Sequence, residues 1–282
     1  MVRLQLPSLA PSCSWLAAWL VVTLGATGVA NAAMAFDRTH AAWTALLAAH
    51  VRWNDAHTAT VVDYAGFARD RAGLDAYRAA LARVSADDVA TWPAADQIAF
   101  LVNAYNANTI ALVLTRYPDL QSIKDLGGFF SSPWKQEFVD LLGSTRSLDD
   151  IEHGLLRGGV AQHEPRVHFA LNCASVGCPA LRPEAYRGDV LDAQLAEQTT
   201  RFLSDHQRNR FDAARGALAV SKIFEWYGKD FQRAAGSVAK FLAPYAAALS
   251  AEPGVQRKVA EAALPVEFLD YDWRLNDRKG GF

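Results

Sequence analysis

RVHFALNCASVGCPALR, residues 166–182, places two cysteines and a histidine in one short stretch, and those residue types allow three kinds of chemistry. Cys173 and Cys178 can close a disulfide. They can join His163 and His168, all spaced by five, as metal ligands, although zinc pairs usually sit closer, at roughly C-x2–4-C. Or one of them can be a thiolate nucleophile with a histidine as its base. SLDDIEHGLLR (147–157) offers Glu152, His153 and Arg157 to such a nucleophile. NAYNANTI (103–110) adds Asn103 and Asn106, whose amides can orient a substrate or hold an oxyanion. Trp134 can wall a pocket. Each group also has an ordinary structural use: the amides can tie a helix to loop backbone, and SLDDIEHGLLR can simply be a capped helix.

The elements that must position these groups follow from periodicity. Apolar residues at helical spacing predict helices over 38–57, 70–83 and 94–118, with a short one over 85–92 capped by Ser85. The 94–118 segment is apolar on most faces and is expected to be buried, with Pro118 as its stop. EFVDLLGSTRSL (137–148) reads as two short strands turning at Gly143-Ser144, and RFDAARGALAVS (210–221) as a hairpin turning at Arg215-Gly216. Further helices are expected over 149–157, 191–205, 223–231, 236–249 and 254–263, and a last strand over 266–273. Asp149 and Glu152 suggest a capping box for the first of these.

RVHFALN alternates as a strand, which would turn His168 away from the sulfur of Cys173 and leave His153 as the better base. Pro179 suits a first helical turn, which would put Cys178 at a helix N-cap where the thiolate is favoured. Helices first, then a small mixed or antiparallel sheet with helices inserted, predict an α+β single domain over 33–282.

The compartment bears on the cysteines. The chain opens with Arg3, an apolar run from Trp15 to Ala30, and the small residues of Ala30-Asn31-Ala32. That is the pattern of a cleaved signal peptide, so residues 1–32 are expected to be removed and the protein to be periplasmic or secreted. Without Arg3 the mature chain carries 27 lysines and arginines against 30 acidic residues, a net charge of −3, which argues against nucleic acid as partner. No later stretch reaches the roughly 20 apolar residues of a membrane span, so no stable membrane insertion is expected after cleavage. The composition, 51% hydrophobic with eight tryptophans, is that of a packed globular protein. GxGxxG and GxxxxGK[ST] are both absent, and no cofactor or metal is expected.

NAYNANTI (103–110), YP-x3-SIKD (117–125), SSPW (131–134), SLDDIEHGLLR, RVHFALNCASVGCPALR and SKIFEWYGKDF (221–231) together resemble the domain of unknown function 547 family, over a core of about 96–230. YDWRLND (271–277) resembles the ending of its bacterial secreted members. The resemblance implies that Glu152, His153, Arg157, His168, Cys173 and Cys178 share a site. The family also occurs inside eukaryotic cells, sometimes fused to a glutaredoxin-like domain, and this implies thiol or glutathione chemistry more than a mere staple. A papain- or transglutaminase-like fold would need a rearranged topology, because those enzymes start a central helix at the nucleophilic cysteine and place the histidine later.

Three functional readings result. The first is a thiol-dependent hydrolase or acyltransferase acting on an amide or thioester, with Cys173 or Cys178 as nucleophile, His153 as base, and Glu152 or an asparagine orienting it. The second is a non-catalytic envelope module that binds a small molecule or peptide beside a Cys173–Cys178 disulfide. The third is a thiol redox protein.

Overall fold

Twenty residues from Ala94 to Val113 form the central helix, and every side chain from Ile98 to Val113 is buried. Alanine is its commonest residue and no glycine or proline interrupts it, so helix propensity and burial agree. In the computed structural model, residues 35–128 and 131–280 are described. The signal-like segment 1–32, with its expected cleavage after Ala32, lies outside them.

The helices Ala41–His50 and Arg71–Ala82 pack against one another, Trp43 stacking on Tyr77 with ring planes 6° apart, and the second also packs on the central helix. The first helix stops sooner than its pattern predicts. From Val51 the chain turns extended, and the β-branched residues of Val51–Trp53 and Thr60–Val62 pair as an antiparallel ribbon. Ala86–Ala90 carries the expected Ser85 cap, closed into a box by Asp88. The central helix ends at Val113, before Pro118.

Both expected hairpins form. Val139–Leu141 pairs with Ser144–Arg146, turning at Leu142 and Gly143, one residue before the expected Gly143-Ser144, and Arg210–Asp212 pairs with Ala217–Val220 through residues 213–216, where the positive φ of 63° at Gly216 suits a residue without a side chain. Val266–Phe268 joins the second hairpin in parallel, giving a three-stranded mixed sheet. Helices Leu191–Leu203, Ile223–Trp226, Gly228–Ala235, Val238–Leu242, Ala246–Leu249 and Pro253–Ala260 surround it. The fold is therefore α+β, as the order of elements predicts.

Two hydrophobic clusters form the interior. One surrounds the central helix; the other joins Phe169, Phe202, Phe224, Phe231 and Phe241 beside the mixed sheet. No helix among the described residues is long and apolar enough to cross a membrane.

Two local expectations are corrected, and both concern the site. RVHFALN is not a strand: Pro165–Phe169 is a 3-10 turn, opened by Pro165 and capped by Glu164, whose carboxylate accepts from Arg166 N at 3.2 Å. Alternation of faces therefore does not apply, and Val167, His168 and Phe169 are all buried. Nor does a helix begin at Pro179. Cys178 N donates to Ser175 O at 3.0 Å in a tight turn, and the carbonyls of Pro179 and Ala180 are taken by the Asn172 and Gln198 amides.

Candidate functional site

Glu152, His153, His168, Cys173, Cys178 and Trp134 line one cavity of about 260 Å³. It opens on the seam between the two hydrophobic clusters. Tyr105 of the central helix, Asp149, Trp226, Tyr227, Tyr271 and Trp273 complete most of its wall.

The segment Asp150–Val160 is wound as a π-helix, a form that favours functional sites. Its entry is capped by Ser147 and Asp150, not by Asp149 and Glu152: Asp150 N donates to Ser147 Oγ at 3.1 Å, and Ser147 N donates to Asp150 Oδ2 at 2.8 Å. That register leaves Asp149 and Glu152 free to face the cavity, and it brings Glu152 and His153 to the same wall although they are adjacent in sequence.

Two carboxylates organise the aromatic and imidazole groups. Glu152, 6% exposed, accepts from the Tyr227 hydroxyl at 2.6 Å. Asp230 accepts from two directions at one oxygen: Arg157 Nε at 2.7 Å and His168 Nε2 at 2.9 Å. The hydrogen bond to His168, with Arg157 beside it, holds the Asp230 carboxyl well below the usual carboxylate range. Burial pushes the His168 imidazole down, so the neutral ring donates through Nε2 and leaves Nδ1 without a proton. Nδ1 is buried and has no hydrogen-bond partner among the described residues. Burial also raises the Asp149 carboxyl above its ordinary range, and it raises the Tyr227, Tyr105 and Tyr271 phenols, so that these three hydroxyls stay protonated.

His153 is engaged elsewhere. It is exposed, Arg157 donates to its Nδ1 at 2.7 Å, and Asp149 lies 3.8 Å from its Nε2. Arg157 stays out of the cavity wall, its guanidinium lying 4.7 Å over the Tyr227 ring. Asn103 and Asn106 are outside it too. Asn103 holds both backbone groups of Tyr186, at 2.8 and 3.0 Å, and Asn106 holds Ala170 O and Asn172 N, each at 2.9 Å. They fasten loops to the central helix.

Cys173 and Cys178 are joined as a disulfide, with Cα atoms 6.1 Å apart. Cys173 is partly exposed and Cys178 is 3% exposed. Around the buried sulfur stand Cys173 N at 2.9 Å, Tyr271 Oη at 3.2 Å and Ser175 Oγ at 3.3 Å. The two hydroxyls also lie 3.2 and 3.3 Å from the Cys173 sulfur. No imidazole among the described residues hydrogen-bonds either sulfur. Nor does any group of three or more His, Cys, Asp or Glu among them form a metal-holding cluster.

The C-terminal stretch builds this loop from outside. Val176 N and Gly177 N donate to Arg274 O and Asp272 O, and Asn276 N donates to Ala174 O. Gly177 lets Tyr271 approach, since a Cβ there would lie 3.0 Å from its ring. Arg208 donates to the carbonyls of Val176 and Cys178 from the other side.

Sequence reasoning missed Asp230, Tyr227, Tyr271 and Trp273 as site residues. SKIFEWYGKDF and YDWRLND contain them and were the available signal, but nothing local says that they converge with the cysteines.

Residues 89–203 match the family described as "Protein of unknown function, DUF547", which supports the resemblance read from the motifs. The match contains the central helix, the π-helix and the cysteine loop, while Tyr227, Asp230 and Tyr271 lie beyond it. No curated protein and no solved structure matches this chain.

Proposed function

We propose that the protein is a thiol–disulfide exchange protein, a secreted member of its family working in an oxidising compartment, and that its cavity holds a small thiol or its disulfide. The observation that carries this reading is the position of the Cys173–Cys178 bridge. It forms part of the wall of an aromatic cavity, with Cys173 the more exposed cysteine and the Cys173 N–H donating to the Cys178 sulfur, while the Tyr271 and Ser175 hydroxyls stand equally near both sulfurs.

That asymmetry suits exchange. A ligand thiolate attacks Cys173 Sγ, the new ligand–Cys173 disulfide forms, and the Cys173–Cys178 bond breaks. Its electron pair goes to Cys178 Sγ as a thiolate, which the Cys173 N–H and the Ser175 and Tyr271 hydroxyls stabilise. A second ligand thiol then resolves the mixed disulfide, releasing the oxidised ligand and a Cys173 thiol. The reverse sequence oxidises two ligand thiols. Acyl transfer with His153 as base is a weaker reading, because His153 Nδ1 is taken by Arg157 and neither sulfur is a free thiol.

The test is redox equilibration of the purified protein in glutathione buffers, followed by alkylation and intact mass spectrometry. The expected result is interconversion of bridged and dithiol forms at a potential above about −300 mV, the region of labile pairs. Cys178→Ala should accumulate a glutathione adduct on Cys173, and Cys173→Ala should accumulate far less. A bridge that resists glutathione until the protein is unfolded would make it a structural staple and defeat the proposal.

A further inference from the structure

Glu152 is 6% exposed, and its two carboxylate oxygens differ in their surroundings. Oε1 accepts from the Tyr227 hydroxyl at 2.6 Å. Oε2 takes no hydrogen bond among the described residues, yet it is not one of the solvent-shielded polar atoms. Glu152 lines the cavity and little else of it is exposed, so the cavity is where that oxygen opens. A carboxylate oxygen on so buried a residue calls for a donor or a cation.

The aromatic wall suits the same partner. Trp226 and Trp273 lie 5.6 Å apart between ring centroids, Tyr271 packs 4.8 and 4.5 Å from them, and Trp134 is 5.7 Å from Trp273. All four rings line the cavity, and aromatic faces attract cations. Lys124 shows the Trp273 ring holding one ammonium already, its Nζ 4.8 Å from the centroid. No lysine or arginine lines the cavity among the described residues, whereas two carboxylates do. One of them, Asp149, has His153 Nε2 at 3.8 Å and Lys135 nearby, and Arg157 is paired with Asp230 at 2.7 Å, which leaves Glu152 as the carboxylate without a cation. Its charge reaches the sulfurs' surroundings. Burial first, and the Glu152 charge as well, push up the Tyr271 phenol, whose oxygen lies 3.2 Å from both sulfurs. A thiolate approaching Cys173 therefore enters a negatively charged cavity, and it is repelled unless the ligand brings a positive charge of its own.

We infer that the cavity selects thiols that carry an ammonium group, which Glu152 and the tryptophan wall receive while the sulfur meets Cys173. The inference deepens the exchange reading and rests on it. The bonds made and broken are those of the exchange: the ligand thiolate bonds to Cys173 Sγ, and the electron pair of the Cys173–Cys178 bond goes to Cys178. The ammonium binds and offsets the charge of the thiolate. A space of about 260 Å³ keeps both ends of a small ligand within reach of the Glu152 charge. Selection acts on the rate of exchange rather than on the potential of the pair. Exchanging an ammonium for a sulfonate at such separations changes the rate by about tenfold to 100-fold.

The experiment compares 2-aminoethanethiol with 2-mercaptoethanesulfonate as reductants of the bridge in the intact protein. Each rate is corrected for its thiolate fraction, and the ratio is divided by the same ratio measured on bis(2-hydroxyethyl) disulfide, which removes intrinsic thiol reactivity. Wild type is expected to favour the aminothiol by about 10- to 100-fold. Glu152→Gln, which keeps an acceptor for Tyr227, is expected to favour it by about threefold or less. Ethylammonium chloride should also change the tryptophan fluorescence of wild type beyond the effect of equal sodium chloride, and Glu152→Gln should lose that difference. A corrected wild-type ratio near one, a ratio that Glu152→Gln leaves in place, or tryptophans that respond alike to both salts would each overturn the inference. If Glu152→Gln does not fold, the wild-type ratio and the ethylammonium titration decide it. A bridge that neither thiol reduces, with ethylammonium still felt by the tryptophans, would instead overturn the exchange reading and leave the cation site standing.

Discussion

The phenol ring of Tyr227 lies against the imidazole of His168, centroids 3.9 Å apart and planes 19° from parallel. The same residue donates its hydroxyl to Glu152 at 2.6 Å. One side chain thus restrains a buried ring through its face and a buried carboxylate through its tip, and the two functions can be separated by substitution. Tyr227→Phe keeps the stack and removes the donor, leaving Glu152 short of a partner, and should cost about 2 kcal/mol in urea unfolding. Tyr227→Ala loses both and should cost about 3 kcal/mol or more. Equal stability of wild type and the Phe variant would show that Glu152 does not depend on this hydroxyl.

Asn103 and Asn106 look like substrate-binding groups in the sequence and act as fasteners in the fold. Each amide satisfies one backbone donor and one backbone acceptor in a buried setting. Replacing either by alanine orphans both partners, so Asn103→Ala and Asn106→Ala should each lose about 2–4 kcal/mol of unfolding free energy. A loss under 1 kcal/mol in denaturant titration would mean that water replaces the amide.

What could be read in the sequence follows the range of the interactions. The Ser85 cap, both hairpins and the buried central helix depend on residues within a few positions of each other, and each is found as expected. The cysteines, His168, Glu152, His153 and Trp134 converge because their motifs lie on segments that pack around one seam. Two errors came from signals that compete locally. RVHFALN alternates like a strand, yet Pro165 and the Glu164 cap win and wind it into a turn. SLDDIEHGLLR offers two capping registers, and Ser147 with Asp150 takes precedence over Asp149 with Glu152. Asp230 and Tyr271 reach their partners across 62 and 93 residues, a closure that only the folded chain specifies.

Buried neutral histidines make stability fall in mild acid. Burial holds His40 down to about 4, its Nδ1 lying 2.7 Å from the Tyr77 hydroxyl, and His168 is lowered in the same sense. A group whose folded pKa lies below its unfolded value of about 6.5 contributes fully above that pH, and the contribution is lost as pH falls toward the folded value. His40 alone should remove about 1 kcal/mol between pH 7.5 and pH 5.5, visible as a lower urea midpoint. Substituting His40 by Asn should flatten that slope, and an unchanged slope would assign the acid sensitivity to other groups.

Tyr271 ties the C-terminal stretch to the Cys173–Cys178 disulfide, and it can be altered by one atom. Its hydroxyl stands 3.2 Å from both sulfurs while its ring packs between Trp226 and Trp273, at 4.8 and 4.5 Å between centroids. Tyr271→Phe keeps that packing and removes one donor to the Cys178 thiolate formed on reduction. A hydrogen bond to a charged group contributes roughly 1.5–3 kcal/mol, so the Cys178 thiol should titrate about one to two units higher in the variant. Ultraviolet thiolate absorbance of the reduced protein across pH measures this directly. The same loss should make the Cys178 sulfur a poorer leaving group and slow reduction of the bridge, whereas an unmoved titration would place the phenol on Cys173 alone and leave the Cys173 N–H and Ser175 as the stabilising donors.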